Sequence, residues 1–211
     1  MTYRPSFYRD VHKGIRALLF DLVQKSGRLD FADKAAVARY RAELKTAIDF
    51  LMGHAEHENR FIGPLLAEHA PELARRIGAI HEDQEHELPE LLAMIDRGAA
   101  HGFVLELARI SGELLVHMTE EEEVLMPTLW ASMTDAEIIA VHEALVASIP
   151  PDEMAYALSW MLPSMNPAER AALLGGIRAT APPEVFGFVR GLAKSVLTPA
   201  DDEVLERQLA A

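Results

Sequence analysis

Apolar residues recur along this chain at spacings of three and four, and no stretch sustains the period-two alternation of a half-buried strand. The pattern predicts helices over residues 5–25, 32–68, 71–96 and 102–130. Ser26-Gly27 and Gly98 stop the first and third, and Gly63-Pro64 bends or loosens the end of the second. Beyond Trp130 the character changes. Thr134-Asp135-Ala136-Glu137 is a capping box opening a helix to about Ser148. Pro150-Pro151, Pro163, Asn166-Pro167, Pro182-Pro183 and Thr198-Pro199 then punctuate a series of short helices, Asn166 and Thr198 each standing where an N-cap precedes a proline. The expected architecture is all-α: an up-down-up-down four-helix bundle over residues 1–130 and a short-helix extension over 131–211. The extension's apolar residues, among them Met154, Trp160, Met161, Met165, Phe186 and Phe188, predict that it packs on the bundle or on a second subunit as a homodimer.

The seams of the four long helices are not purely apolar. The first reads His12, Ile15, Leu19, Leu22. The second reads Leu51, His54, Glu58, Phe61, Leu65, and the third Ile77, His81, then Gln84 or Glu85, and Leu88. The fourth reads Ile110, Leu114, His117, Glu121, Val124. A stripe at this spacing faces the core of a bundle. Each helix therefore turns an imidazole inward, and two of them add a carboxylate. Left unpaired, such groups cost several kcal/mol each, on the order of a domain's whole stability. A metal ion compensates them directly.

The arrangement repeats. His54 and His117 have the same separation as Glu58 and Glu121, and as Pro64 and Pro127, so both segments read H-x-x-x-E-x-x-x-x-x-P. Residues at i and i+4 share one face a turn apart, so each pair can reach one ion or two neighbouring ions. His12 precedes the first pair and His81 the second, as a pseudo-twofold site for two metals requires. Depth agrees for one hairpin: His81 lies as far before Gly98 as His117 lies after Ala100. For the other, His12 stands closer to Gly27 than His54 does to Asp33, by about six positions or about 9 Å of helix. That mismatch calls for an extra short helix or a longer turn near residues 27–35.

Composition narrows the chemistry. The 211 residues contain no cysteine, which excludes disulfides, thiolate zinc sites, thiolate-held iron–sulfur clusters and thiol nucleophiles. Any metal is held by nitrogen and oxygen, a donor set that suits iron, manganese or zinc. The net charge of −13 argues against a nucleic-acid partner. No apolar run approaches the ~20 residues of a membrane span, and the first residues lack a signal peptide's apolar stretch, so a cytoplasmic protein is expected. His81-Glu82-Asp83-Gln84-Glu85-His86 is one residue too long for a zinc-protease H-E-x-x-H. The Glu-x-x-His of ferritin-type sites is absent. His69, His86, His101 and His142 read as surface residues, and Glu56 and His57 as neighbours beside the seam.

The order His12, His54-x-x-x-Glu58, His81, His117-x-x-x-Glu121 resembles the hemerythrin-like (HHE cation-binding) family. Residues 131–211, with Met161-Leu162-Pro163-Ser164-Met165, are similar to the segment after the bundle in the hemerythrin repeats of plant iron-regulatory ubiquitin ligases. The resemblance implies two non-haem iron ions. His12 and His54 would be terminal ligands of one, His81 and His117 of the other, and Glu58 and Glu121 would bridge them. It also implies a small ligand such as oxygen, peroxide or nitric oxide, reacted with or sensed. The oxygen-carrying members have a second histidine four residues after the one on the third helix. Here that position is Glu85, which makes it a candidate carboxylate ligand.

Overall fold

A computed structural model describes residues 4–210. Among them every regular element is helical: α1 Arg9–Arg28, α2 Lys34–Phe61, α3 Gly63–His69, α4 Pro71–Asp96, α5 Ala100–Glu120, a π-helical turn Glu121–Leu125, α6 Met126–Ser132, α7 Asp135–Ser148, α8 Pro151–Ser164, α9 Pro167–Thr180, α10 Pro183–Val196 and α11 Pro199–Ala210. None of these helices is long and apolar enough to cross a membrane.

The chain divides into two compact units. One takes the chain up to Arg9 together with Leu18–Ser148, and the other takes Asp10–Ala17 together with Ile149 onward. The division differs from a boundary at residue 130. Helix α7 goes with the first unit because Ile138, fully buried, packs with Leu66, Leu129 and Met126.

The first unit is the helical bundle. Its α4–α5 hairpin is closed by Gly98, which alone among the described residues adopts a positive φ, +71°. Gly98 N–H donates to Ile95 O and Ala99 N–H to Met94 O, the paired bonds of a Schellman stop, which needs the left-handed backbone that glycine adopts at little cost. At the other hairpin no extra helix forms. Residues 29–33 make the longer turn, and Asp33 caps α2 by accepting from the N–H groups of Ala35 and Ala36. Tyr40 on α2 donates its hydroxyl to Leu22 O, and its ring meets Phe103 edge-on at 5.9 Å between centroids. Leu44, Leu91, Phe103 and Leu107 are buried along the same helices.

The second unit has a core of its own. Leu158, Leu162, Leu174, Val189, Ala193, Leu197, Leu205 and Leu209 form one buried cluster. Its helices begin at Pro151, Pro167, Pro183 and Pro199, evenly spaced along the chain, with Asp135 of α7 in the same phase. Proline costs nothing at a first helical position, where its missing N–H has no intrahelical partner, and its fixed φ suits the helix. Asn166 and Glu169 form a reciprocal capping box on α9, and on α11 the Thr198 hydroxyl both accepts from Asp201 N–H and donates to its carboxylate. The α1 stretch in this unit meets α8 backbone to backbone. A Cβ added at Gly14 would stand 3.0 Å from Met161 N, and Lys13 pairs with Glu169 at 2.5 Å. Of the apolar residues expected to be covered, Met165 is buried and Trp160, Met161 and Phe186 half-buried, whereas Phe188 remains 58% exposed.

Candidate metal centre

Helix α2 carries His54 and Glu58, α4 carries His81, and α5 carries His117 and delivers Glu121 at the start of the π turn. Both glutamates are followed six residues later by a proline, and in both places the helix is irregular between the two. Proline lacks an N–H, and its ring collides with the carbonyl four residues back, here that of Arg60 or Glu123. After Glu58, α2 ends at Phe61 and α3 begins at Gly63; after Glu121 the helix widens into the π turn. The inward positions fall four residues past each glutamate, at Ile62 and Leu125, both buried, while Phe61 is half-buried and Val124 is 44% exposed. Such π turns gather at functional sites because they re-aim one side chain without ending the helix.

Glu58, His81, His117 and Glu121 are all buried, and one ligand atom from each lies within 4.8 Å of the others. His81 Nε2 stands 3.0 Å from His117 Nε2, 3.2 Å from Glu58 Oε2 and 3.9 Å from Glu121 Oε1; His117 Nε2 stands 3.2 Å from Glu121 Oε1. The other oxygen of Glu58, Oε1, lies 2.9 Å from His54 Nε2. Glu58 thus turns its two oxygens toward two different imidazoles, the posture of a bridging carboxylate. Asn59 Oδ1 lies 2.7 Å from His81 Nδ1. An amide oxygen only accepts, so Nδ1 carries the hydrogen and Nε2 presents a lone pair to the centre.

The electrostatics follow from burying two carboxylates together. Burial and the charge of Glu58 hold the Glu121 carboxyl well above its usual range. Burial pushes Glu58 upward as well, but His54 and His81 outweigh it and hold that carboxyl well below. Two carboxylates this close do not both ionise freely unless positive charge lies between them. Imidazole lone pairs and carboxylate oxygens converging on one buried point are a donor set that a divalent cation fits. The Tyr8 hydroxyl, buried one turn before His12 in the sequence, is likewise raised well above its usual range, by burial and then by Glu58 and Glu121.

His12 is fully buried in the α1 stretch that belongs to the second unit. Glu85 is a correction. Its side chain is exposed, and it joins no group of converging ligand atoms among the described residues. The buried positions of α4 are Leu73, Ile77, His81, Leu88, Leu91 and Ile95, with Gln84 half-buried between them. The seam therefore steps from His81 to Gln84, and i+4 rotates outward. His69, His86, His101 and His142 are exposed, as expected; Glu56 is exposed too, and His57 is half-buried. Sequence reasoning missed Asn59, which lies off the seam at an exposed position and gives no periodic signal. It missed Tyr8 as well, although extending the α1 seam back one turn from His12 reaches it.

These features define a class: an all-helical bundle with a buried histidine–carboxylate centre suited to a cation. The family model of the hemerythrin HHE cation binding domain matches residues 6–129, and the chain belongs to that family. The match stops short of α7–α11. No curated protein and no solved structure matches the chain.

Proposed function

We propose that this chain holds two iron ions in its bundle and reacts with or senses a small oxygen-type ligand: oxygen, peroxide or nitric oxide. The observation that carries the reading is Glu58, whose two oxygens face His54 and His81 at 2.9 and 3.2 Å. His81 and His117 would hold one ion, and His12 and His54 the other. Glu58 and Glu121 would bridge them. Bound iron supplies a redox-active Lewis acid with positions open to a small ligand. The protein's part is to fix the imidazoles, through Asn59 on His81, and to keep water from the centre. The layer one turn away, with Ile62, Ile77 and Leu125, is buried and apolar. With Glu85 facing solvent, the position where oxygen-carrying members of the family have a second histidine offers no ligand here. That leaves a coordination position open and favours reaction or sensing over reversible carriage. The reading places the protein in the cytoplasm.

A second reading keeps the metal but not turnover: an iron- or oxygen-responsive interaction module. The contact of Gly14 with the α8 backbone supports it, because the α1 stretch that carries His12 is also the stretch that α8 covers. Elemental analysis of the purified chain, with optical spectra of the reduced and oxidised forms, tests both. Two irons per chain and a spectrum that changes on adding peroxide or oxygen support turnover or sensing. Zinc or manganese in place of iron, which the same donors accept, would remove the redox chemistry. A chain without metal would remove both readings.

A further inference from the structure

The apolar layer beside the centre is built in two rings set by helical spacing. Ile62, Ile77 and Leu125 stand four residues from Glu58, His81 and Glu121, and Leu66, Leu73 and Leu129 stand four further on. All six lie within helical segments or, for Ile62, directly between two of them. Phe7 and Tyr8 complete the same buried layer without being helical. They belong to an arm, residues 4–8, that runs into α1 at Arg9, and side chains fasten it. The Arg4 guanidinium donates from Nε to Asp135 Oδ1 at 2.7 Å, from Nη1 to Trp130 O at 2.7 Å and from Nη2 to Met133 O at 3.2 Å. It also lies over the Trp130 ring, 5.8 Å from the centroid. The Trp130 indole N–H returns a bond to Pro5 O at 2.8 Å. Farther along, Ser6 Oγ accepts from the N–H groups of Tyr8 and Arg9, and the Phe7 ring stacks on His142 of α7 at 6.3 Å. Arg4 and Asp135 are both exposed. Exposed charge pairs are worth little each, and a segment tied by bonds open to solvent unfastens at lower free energy than packed helices do. Of the elements that wall the layer, the arm is therefore the one that opens at least cost.

We propose that this arm gates the centre: Arg4 and Trp130 latch Phe7 and Tyr8 into the layer, and release of the latch opens the path by which a small anion or a diatomic ligand reaches the metal. This rests on the di-metal reading. The bonds of Arg4 and Trp130 join the arm to α6 and α7, so the latch acts on passage and not on the bound state. The fraction of time the arm stands open multiplies entry and exit alike. Arg4 and Trp130 thus set how fast a ligand comes and goes, and leave its affinity to the residues around the metal.

The test loads wild-type, Arg4→Ala and Trp130→Phe chains with ferrous iron without air, oxidises them, and measures metal by elemental analysis. Each is then mixed rapidly with azide, and binding and release are followed by optical absorption. Hydrogen exchange of the metal-free chains follows the arm itself. The expected result for Arg4→Ala is equal iron content, azide entry and release both faster by roughly tenfold, and a dissociation constant within about twofold of wild type. Trp130→Phe keeps a ring under Arg4 and loses the bond to Pro5, so its rates should rise less, in the same sense. Residues 4–8 should exchange faster in both variants, with α4 and α5 unchanged. Unchanged azide rates overturn the proposal, as do loaded chains that admit no azide. A shift in affinity carried by one rate alone also overturns it, because Arg4 would then act on the bound state. Faster exchange spreading to α4 and α5, or loss of iron from a folded variant, marks a structural role and overturns it too. Should Arg4→Ala fail to fold, Trp130→Phe decides by the same measures. A wild-type chain that takes up no iron fails at the first measurement and removes the di-metal reading along with the proposal.

Discussion

The second unit buries Arg170, which donates to Met165 O and Asp201, and holds Arg190 against Asp202 at 2.7 Å. The first buries Glu58, His81, His117 and Glu121 against one another. Both regions take charge out of water, but the extension does it in cation–anion pairs that satisfy each other where they stand. In the bundle, groups of one kind converge: imidazole nitrogens and carboxylate oxygens. Buried polarity alone therefore does not mark a site, because a domain can close its own pairs as structural links. Convergence of acceptors on one point does mark one, since only a proton or a metal ion reconciles them.

The sharpest way to break this contrast is to delete one acceptor. Glu58→Ala removes the group that faces both His54 and His81, and at least one metal per chain should be lost, read by elemental analysis. Because binding to the folded state alone stabilises it, the loaded wild type should also melt well above both the variant and its own chelated form. The linkage is worth about 3 to 4 kcal/mol when free metal exceeds Kd by roughly 100- to 1,000-fold. Arg190→Met, which breaks a closed pair in the extension, should leave metal content unchanged. Metal loss in both variants would erase the distinction between the two kinds of burial.

The next effect concerns the α1 stretch inside the second unit. At Gly14 a Cβ would meet Met161 N at 3.0 Å and Trp160 C at 3.1 Å, both backbone atoms that cannot rotate away. Gly14→Leu should therefore displace α8 at a cost of about 1–3 kcal/mol, visible as faster hydrogen exchange in α8. If α8 exchange is unchanged, α1 and α8 are not held by this contact.

Much of this is legible in the sequence, for physical reasons that differ by element. The α4–α5 hairpin can be read because Gly98 marks the turn and arms of equal length place His81 and His117 level; their Nε2 atoms stand 3.0 Å apart. The His54–Glu58 and His117–Glu121 pairs can be read because i, i+4 spacing holds through unbroken helix. Glu85 misleads because a seam alternating three and four leaves i+3 and i+4 equally open, and packing chooses Gln84. The even spacing of Pro151, Pro167, Pro183 and Pro199 is present in the sequence but hidden by the scatter of other prolines. The π turn has no signature of its own, and only Pro127 hints that the ladder before it is disturbed. Asn59 cannot be found by periodicity, because it reaches His81 from the edge of α2.

Asn59 gives the third effect. It holds His81 from outside the ring of ligands, and loss of such a partner typically costs roughly 10–100-fold in metal affinity. Asn59→Ala should therefore weaken metal binding by about that factor in a chelator competition, with the fold retained. Asn59→Asp, which still accepts from Nδ1, should recover most of it. If Asn59→Ala binds metal as wild type does, His81 is oriented by its packing alone.

The smallest effect belongs to the closed pairs of the extension. Asp201 stands third in the first turn of α11. It accepts from Thr198 Oγ1 at 2.7 Å and from Arg170 Nη2 at 2.8 Å, and these bonds hold its carboxyl below its ordinary range. A carboxyl whose folded pKa is depressed contributes stability that is present above its unfolded value, 3.8, and is lost as pH falls through the folded one. The extension should therefore weaken in acid through Asp201, in a window that opens only below about pH 4. Asp201→Asn keeps an acceptor for both partners but cannot take up a proton. Its stability should be slightly lower at neutral pH and should fall less steeply below that window, measured by denaturant titration at a series of pH values. The comparison with the bundle fixes the control: metal content should be the same in wild type and variant at every pH, because the pair closes on itself and has no share in the centre. A variant that loses stability in acid as steeply as wild type would show that the Arg170–Asp201 link carries no measurable part of the extension's stability.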